Sequence, residues 1–74
     1  MPKLPQLTSR KVVRILKKKG FVLTRTRGSH QIYWNQQSRR QVTIPVHTKD
    51  LPQGTLLEIL RQAGITRDEI RDLL

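Results

Sequence analysis

Two histidines, His30 and His47, are the side chains in this chain best suited to moving a proton near neutral pH. His30 lies in Arg25-Thr26-Arg27-Gly28-Ser29-His30, and His47 closes Ile44-Pro45-Val46-His47. Both segments read as strand ends. If those strands pair antiparallel, the two imidazoles fall in one neighbourhood with Arg25, Arg27 and Lys49. That grouping is a cationic pocket holding acid–base groups. RNA supplies its own nucleophile, the 2′-OH. Its cleavage then needs a base for that hydroxyl, an acid for the leaving 5′-oxygen, and cations for the charge building on phosphorus. No metal is required. The chain has no acidic residue before Asp50 to help hold Mg²⁺, and no cofactor is expected.

Each of these residues also has a plainer reading. A histidine in a strand is often structural, or donates to a phosphate. Gly28 serves a tight turn, or lets backbone approach a phosphate. Ser29 is a turn residue or a hydrogen-bond donor to phosphate. Tyr33 and Trp34 are adjacent in a strand, so they point to opposite faces. One belongs to the core, and the other either stacks on a base or meets a protein partner. His30, Ile32 and Trp34 share one parity, and alternation alone does not say which face is buried.

Charge is the second signal. Residues 1–49 hold twelve Lys and Arg and no Asp or Glu; residues 50–74 hold five acids against three Arg, giving a net charge of +10. A surface so one-signed attracts polyanions, and the phosphate backbone is the commonest such partner. With no Cys, disulfides, zinc–thiolate sites and thiol chemistry are excluded. No apolar run approaches the roughly 20 residues of a membrane span, and no apolar leader suggests secretion. A soluble, cytoplasmic protein with no membrane partner is the expectation.

The elements that must position these residues fit one domain of 74 residues, near the lower limit for a self-sufficient core. Met1 to Leu7 reads as an extended lead-in. Thr8 caps a helix to about Lys19, with Leu7 and Val12 as a hydrophobic staple and Val12, Val13, Ile15 and Leu16 as the apolar stripe. Gly20 ends it, with Phe21 folding back. Strands are expected at Phe21 to Arg27, Ser29 to Asn35 and Gln41 to Val46, with Pro45 marking an edge or strand end. Asp50 is expected to cap a second helix, with Gln53 completing a capping box and Leu56, Leu57, Ile59, Leu60 and Ala63 as its stripe. Gly64 ends that helix. Thr66 and Glu69 form a capping box for a short last helix to about Leu73, with Ile65 and Ile70 as its staple. The fold class is α+β, ordered α-β-β-β-α plus a short C-terminal helix. It places a three-stranded antiparallel sheet against two helices on one face.

Four stretches, in order, resemble the HicA toxin family: Lys18-Lys19-Gly20-Phe21, Arg27-Gly28-Ser29-His30-Gln31-Ile32-Tyr33, Ile44-Pro45-Val46-His47, and the helix from Gly54 to Ile65. The resemblance covers nearly the whole chain. It implies a fold like a double-stranded-RNA-binding domain. It also implies the toxin of a type II toxin–antitoxin pair, a ribosome-independent endoribonuclease acting on mRNA. The family's catalytic histidine falls on His30. His47 matches a second recurrent histidine, with a supporting or substrate-contacting role. The implied partners are mRNA and a HicB-type antitoxin that covers His30 and neutralises the basic face. The resemblance leaves the oligomeric state of the free chain open, with a monomer among the options. The first rival reading is a module that grips structured RNA without cutting it, and a further one is an interaction protein whose basic face serves mainly an acidic protein partner.

Overall fold

The computed structural model describes residues 4–74. The first three residues of the expected lead-in, Met1, Pro2 and Lys3, lie outside the described residues. Along the chain run α1 (Ser9–Lys18), β1 (Val22–Arg27), β2 (His30–Asn35), β3 (Arg40–Pro45), α2 (Gln53–Ala63) and α3 (Arg67–Leu73). The strands form one antiparallel sheet in the order β1-β2-β3. The α+β class and the element order agree with the sequence reading.

Local chemistry accounts for most boundaries. The Thr8 hydroxyl accepts from the Lys11 N–H at the start of α1. At its end, Phe21 N–H donates to Leu16 O and Gly20 N–H to Lys17 O, the paired bonds of a Schellman motif. Thr66 and Glu69 close a reciprocal capping box on α3. Pro45, which has no N–H to donate, ends β3. Asn35 makes the β2–β3 turn: its Oδ1 accepts from the N–H groups of Gln37 and Ser38, and its Nδ2 donates to Lys19 O at 2.7 Å.

The start of α2 differs from expectation. Asp50 is not its cap, and no Asp50–Gln53 capping box forms. Asp50 pairs with Thr8 in an isolated antiparallel bridge, and Leu51 N–H donates to Leu7 O at 2.7 Å. Residues 50–51 are thus held as extended backbone, with Leu51 buried in the core. Pro52, at φ −56°, leads into the helix and offers no side-chain cap. Leu57 also departs from the expected stripe. It is exposed, while Leu56, Ile59, Leu60 and Ala63 carry the buried stripe.

The core is one apolar layer between the helices and a single face of the sheet. Val12, Ile15 and Leu16 of α1, the α2 stripe and Ile70 of α3 meet Tyr33, Val42 and Ile44, with Leu4, Leu7, Phe21, Leu51 and Ile65 filling in. Of the adjacent pair Tyr33 and Trp34, Tyr33 is therefore the one in the core. Burial pushes its hydroxyl pKa up, and Oη donates to Gln31 Oε1 at 2.9 Å. All six residues of β1 are exposed, so this strand is held by pairing with β2 and not by burial. The opposite edge is covered. Gln62 of α2 accepts from the Thr43 N–H at 3.1 Å, and Arg40 reaches the Gln62 carbonyl. The short α3 is tied to the end of α1 by Lys19 Nζ to Glu69 at 2.8 Å and Lys18 Nζ to Leu73 O at 2.8 Å.

Two predictions follow from these contacts. Gly64 ends α2 at φ +72°, and a Cβ there would lie 2.7 Å from Arg40 Nε. Gly64→Ala is expected to cost about 1–2 kcal/mol, read from the midpoint of urea unfolding, because the left-handed backbone disfavours a side chain and Arg40 must move. The second concerns acid. Hydrogen bonds from Arg61 and then Gln62 hold the Glu58 carboxyl well below its ordinary 4.5, at about 2. Lys19, then the Thr66 backbone, lowers Glu69. A depressed folded-state pKa contributes stability above the unfolded value and loses it as pH falls through the folded one. The melting temperature should therefore fall between about pH 4.5 and about pH 2. The fall is modest because both carboxylates are at the surface. Glu69→Gln should flatten part of that acid slope, and an unchanged slope would exclude the Lys19 contact as its source.

Candidate nucleic-acid interface

The register of the sheet assigns each candidate residue to a face, since residues directly opposite one another in an antiparallel pair share a side. Tyr33 stands opposite Val42 and Gln31 opposite Ile44, on the helix-covered side. His30 stands opposite Pro45, Ile32 opposite Thr43 and Trp34 opposite Gln41, so His30, Ile32 and Trp34 occupy the uncovered side.

The arginines reach that side through an irregularity in β1. At the far end Leu23 pairs with Tyr33, on the core side. The register then shifts between Leu23 and Arg25, so that Arg25 pairs with Ile32 and Arg27 with His30. Thr24 is the extra residue, and its hydroxyl donates to Ile32 O at 3.0 Å. Strict alternation would have put Leu23, Arg25 and Arg27 on one side. The inserted residue reverses that parity. The result is one open face carrying Arg25, Arg27 and His30.

The turn joining β1 to β2 is two residues long. Gly28 has φ +56° and Ser29 follows, the glycine-first pattern of a type II′ hairpin. A β-carbon at Gly28 would meet nothing within 4 Å. Its demand for glycine is therefore one of backbone angle and not of crowding. Ser29 O accepts from the Val46 N–H at 2.7 Å, which prolongs the β2–β3 pairing by one bond. Gly28, Ser29 and His30 are all exposed at this end of the sheet. Among the described residues, neither imidazole is hydrogen-bonded to a protein group. His30 thus presents a free ring beside Arg27, an arrangement able to exchange a proton with a ligand whose negative charge the guanidinium attracts.

His47 lies elsewhere. It follows the end of β3, two residues past Pro45, the residue opposite His30. Its N–H donates to Ser9 Oγ at 2.9 Å, and that hydroxyl donates to Pro45 O at 2.6 Å. His47 lines an open groove of about 840 Å³ between α1 and the sheet, beside Arg10, Lys17 and Leu23. His30 does not line this groove. The two histidines share one end of the sheet but serve different sides of it. Lys49 is exposed on the connection to α2.

Two side chains with positional roles escaped the sequence reading. Ser9 is 5 % exposed and Asn35 is 6 % exposed, and both are polar residues that tie connections to neighbouring elements. A Ser beside an N-cap and an Asn at a strand end look like ordinary turn chemistry, so nothing in their local sequence signals burial. Among the described residues, no group of three or more His, Cys, Asp or Glu side chains lies close enough to hold a metal ion. No helix among them is long and apolar enough to cross a membrane.

This architecture, a meander with helices on one face and a basic uncovered face, defines a small α+β domain like the double-stranded-RNA-binding fold. The comparison with protein families agrees. Residues 9–65 match the family described as the HicA toxin of bacterial toxin–antitoxin systems, and the chain belongs to that family. No curated protein matches it.

Ser9 gives the test of this geometry. Ser9→Ala removes one hydroxyl serving both Pro45 O and His47 N–H, leaving two backbone groups unpaired. The expected loss is about 1–3 kcal/mol in chemical unfolding. Exchange protection should fall at the His47 amide, while the Phe21 amide keeps its protection.

Proposed function

We propose that this chain is a metal-independent endoribonuclease that cleaves mRNA through His30, as the toxin of a type II toxin–antitoxin pair. The observation that carries this reading is the exposed His30 set opposite Arg27 on the uncovered sheet face, in a chain of the HicA toxin family. His30 takes the proton of a 2′-hydroxyl. The freed oxygen attacks the adjacent phosphorus, the O2′–P bond forms and the P–O5′ bond breaks. A 2′,3′-cyclic phosphate remains on one fragment, and the 5′-oxygen takes its proton from the imidazolium or from water. Arg25 and Arg27 stabilise the charge gathering on the phosphoryl oxygens. Gly28 and Ser29 bring the hairpin backbone and a hydroxyl donor to the same phosphate. His47 and Lys49 contact RNA that continues around the end of the sheet.

The partner that restrains such an activity is a HicB-type antitoxin covering His30, and the compartment is the cytoplasm, where mRNA is found. The rival function is a module that binds structured RNA without cutting it. The two separate in one experiment. Purified protein and a correctly folded His30→Ala variant are incubated with long mixed-sequence RNA in EDTA. Cutting by wild type, reduced at least about 100-fold in the variant, is the expected result. Equal cutting by both would remove His30 from the mechanism. Tight RNA binding with no cutting by either would favour the module.

A further inference from the structure

The uncovered face extends well beyond His30. Further along β2 it carries Ile32 and Trp34, flanked across the strands by Val22, Gln41 and Thr43. The helices leave this side bare, and Val22 is 58 % exposed on it. Trp34 is half-buried. Its Nε1 donates to Gln36 Oε1 at 3.0 Å, so the one polar atom of the indole is already satisfied within the chain. What remains to offer a ligand is the ring surface. Resting on the ribonuclease reading, we infer that this face binds single-stranded RNA, with Trp34 stacking on an unpaired base a few nucleotides from the phosphate at His30.

Three features favour this occupant. First, the spacing fits one strand. His30 and Trp34 are four residues apart on the same side of β2, about 13 Å. A strand of RNA laid along β2 passes both. Second, the chemistry is graded. The His30 end carries Arg25 and Arg27 for phosphate, while the Trp34 end carries an indole for a base face and Gln41 for a base edge. Third, charge complementarity favours a polyanion, since the face holds two guanidinium groups and no carboxylate. A duplex does not suit it. Paired bases remain stacked on each other and offer an indole nothing to cover. Attack by the 2′-hydroxyl also needs a backbone free to bring that oxygen in line with the leaving group.

The assay uses a convenience of composition, because Trp34 is the sole tryptophan. The His30→Ala protein, which leaves RNA intact, is titrated with a short mixed-sequence single-stranded RNA and with the same RNA annealed to its complement. Tryptophan emission should be quenched by the single strand and little changed by the duplex. This arm alters nothing at Trp34, so it decides the matter even where a Trp34 variant fails to fold. In a second arm, anisotropy of labelled single strand should show Trp34→Ala weakening binding about 10-fold, with Trp34→Phe close to the parent. Equal quenching by duplex, or unchanged affinity in a folded Trp34→Ala variant, overturns the inference. Quenching by an acidic protein partner but by no RNA overturns it too, and reassigns the face. Both arms read binding alone. Should His30→Ala still cut RNA, the catalytic reading falls while stacking at Trp34 is judged separately.

Discussion

A chain this short, without cysteine, has one way to hold itself together, which is to press every apolar stripe it owns into a single layer. The stripes of α1 and α2, with Ile70 of α3, meet one side of β2 and β3, and that layer is the whole core. Among the described residues, no helix is left to cover the other side of the sheet. Everything else depends on this shortage. One face of the sheet must be insulated and the other must face water, and the water-facing side is where Arg25, Arg27, His30 and Trp34 stand. The hydrogen bonds of Ser9, Asn35 and Gln62 then fasten connections that the small core does not reach.

The two faces meet in β2, whose residues alternate between them. Tyr33 and Asn35 point into the fold, while His30, Ile32 and Trp34 point away from it. β1 would follow the same alternation but for the extra residue at Thr24. That single insertion turns Arg25 and Arg27 from the core side to the side of His30. An inserted residue of this kind also bends a strand and disrupts its ladder. With two arginines on it, the edge is a poor template for pairing with another chain. One irregularity therefore sets both the side on which the arginines stand and the character of the edge.

Much of this was legible beforehand because it rests on local rules. The Thr8 cap, the turn at Gly20 and Phe21, the capping box of Thr66 and Glu69, and the strand end at Pro45 each depend on residues within a few positions of one another. The features that escaped depend on partners far along the chain. Asp50 has the makings of a cap, but the bridge to Thr8 claims its backbone. Leu57 belongs to an apolar run, yet the helix stripe is narrower than the run. The choice of Tyr33 over Trp34 for the core needed the opposing strand, since alternation is symmetric. The register shift has no sequence mark, as Thr24 is an ordinary strand residue. Without that shift, Arg25 and Arg27 had no assignable side, and the separation of His47 from His30 was hidden in the path around Ser9.

The alternation in β2 has a consequence for how such a protein changes over generations. Every second codon of that strand answers to folding, and the ones between answer to whatever lies on the uncovered face. A substitution at Trp34 or Ile32 changes the water-facing side of the sheet, and one at Tyr33 changes the packed layer. The strand separates the two selection pressures residue by residue. The packed layer can therefore be altered through Tyr33 and the water-facing side through Ile32 and Trp34, each without touching the other.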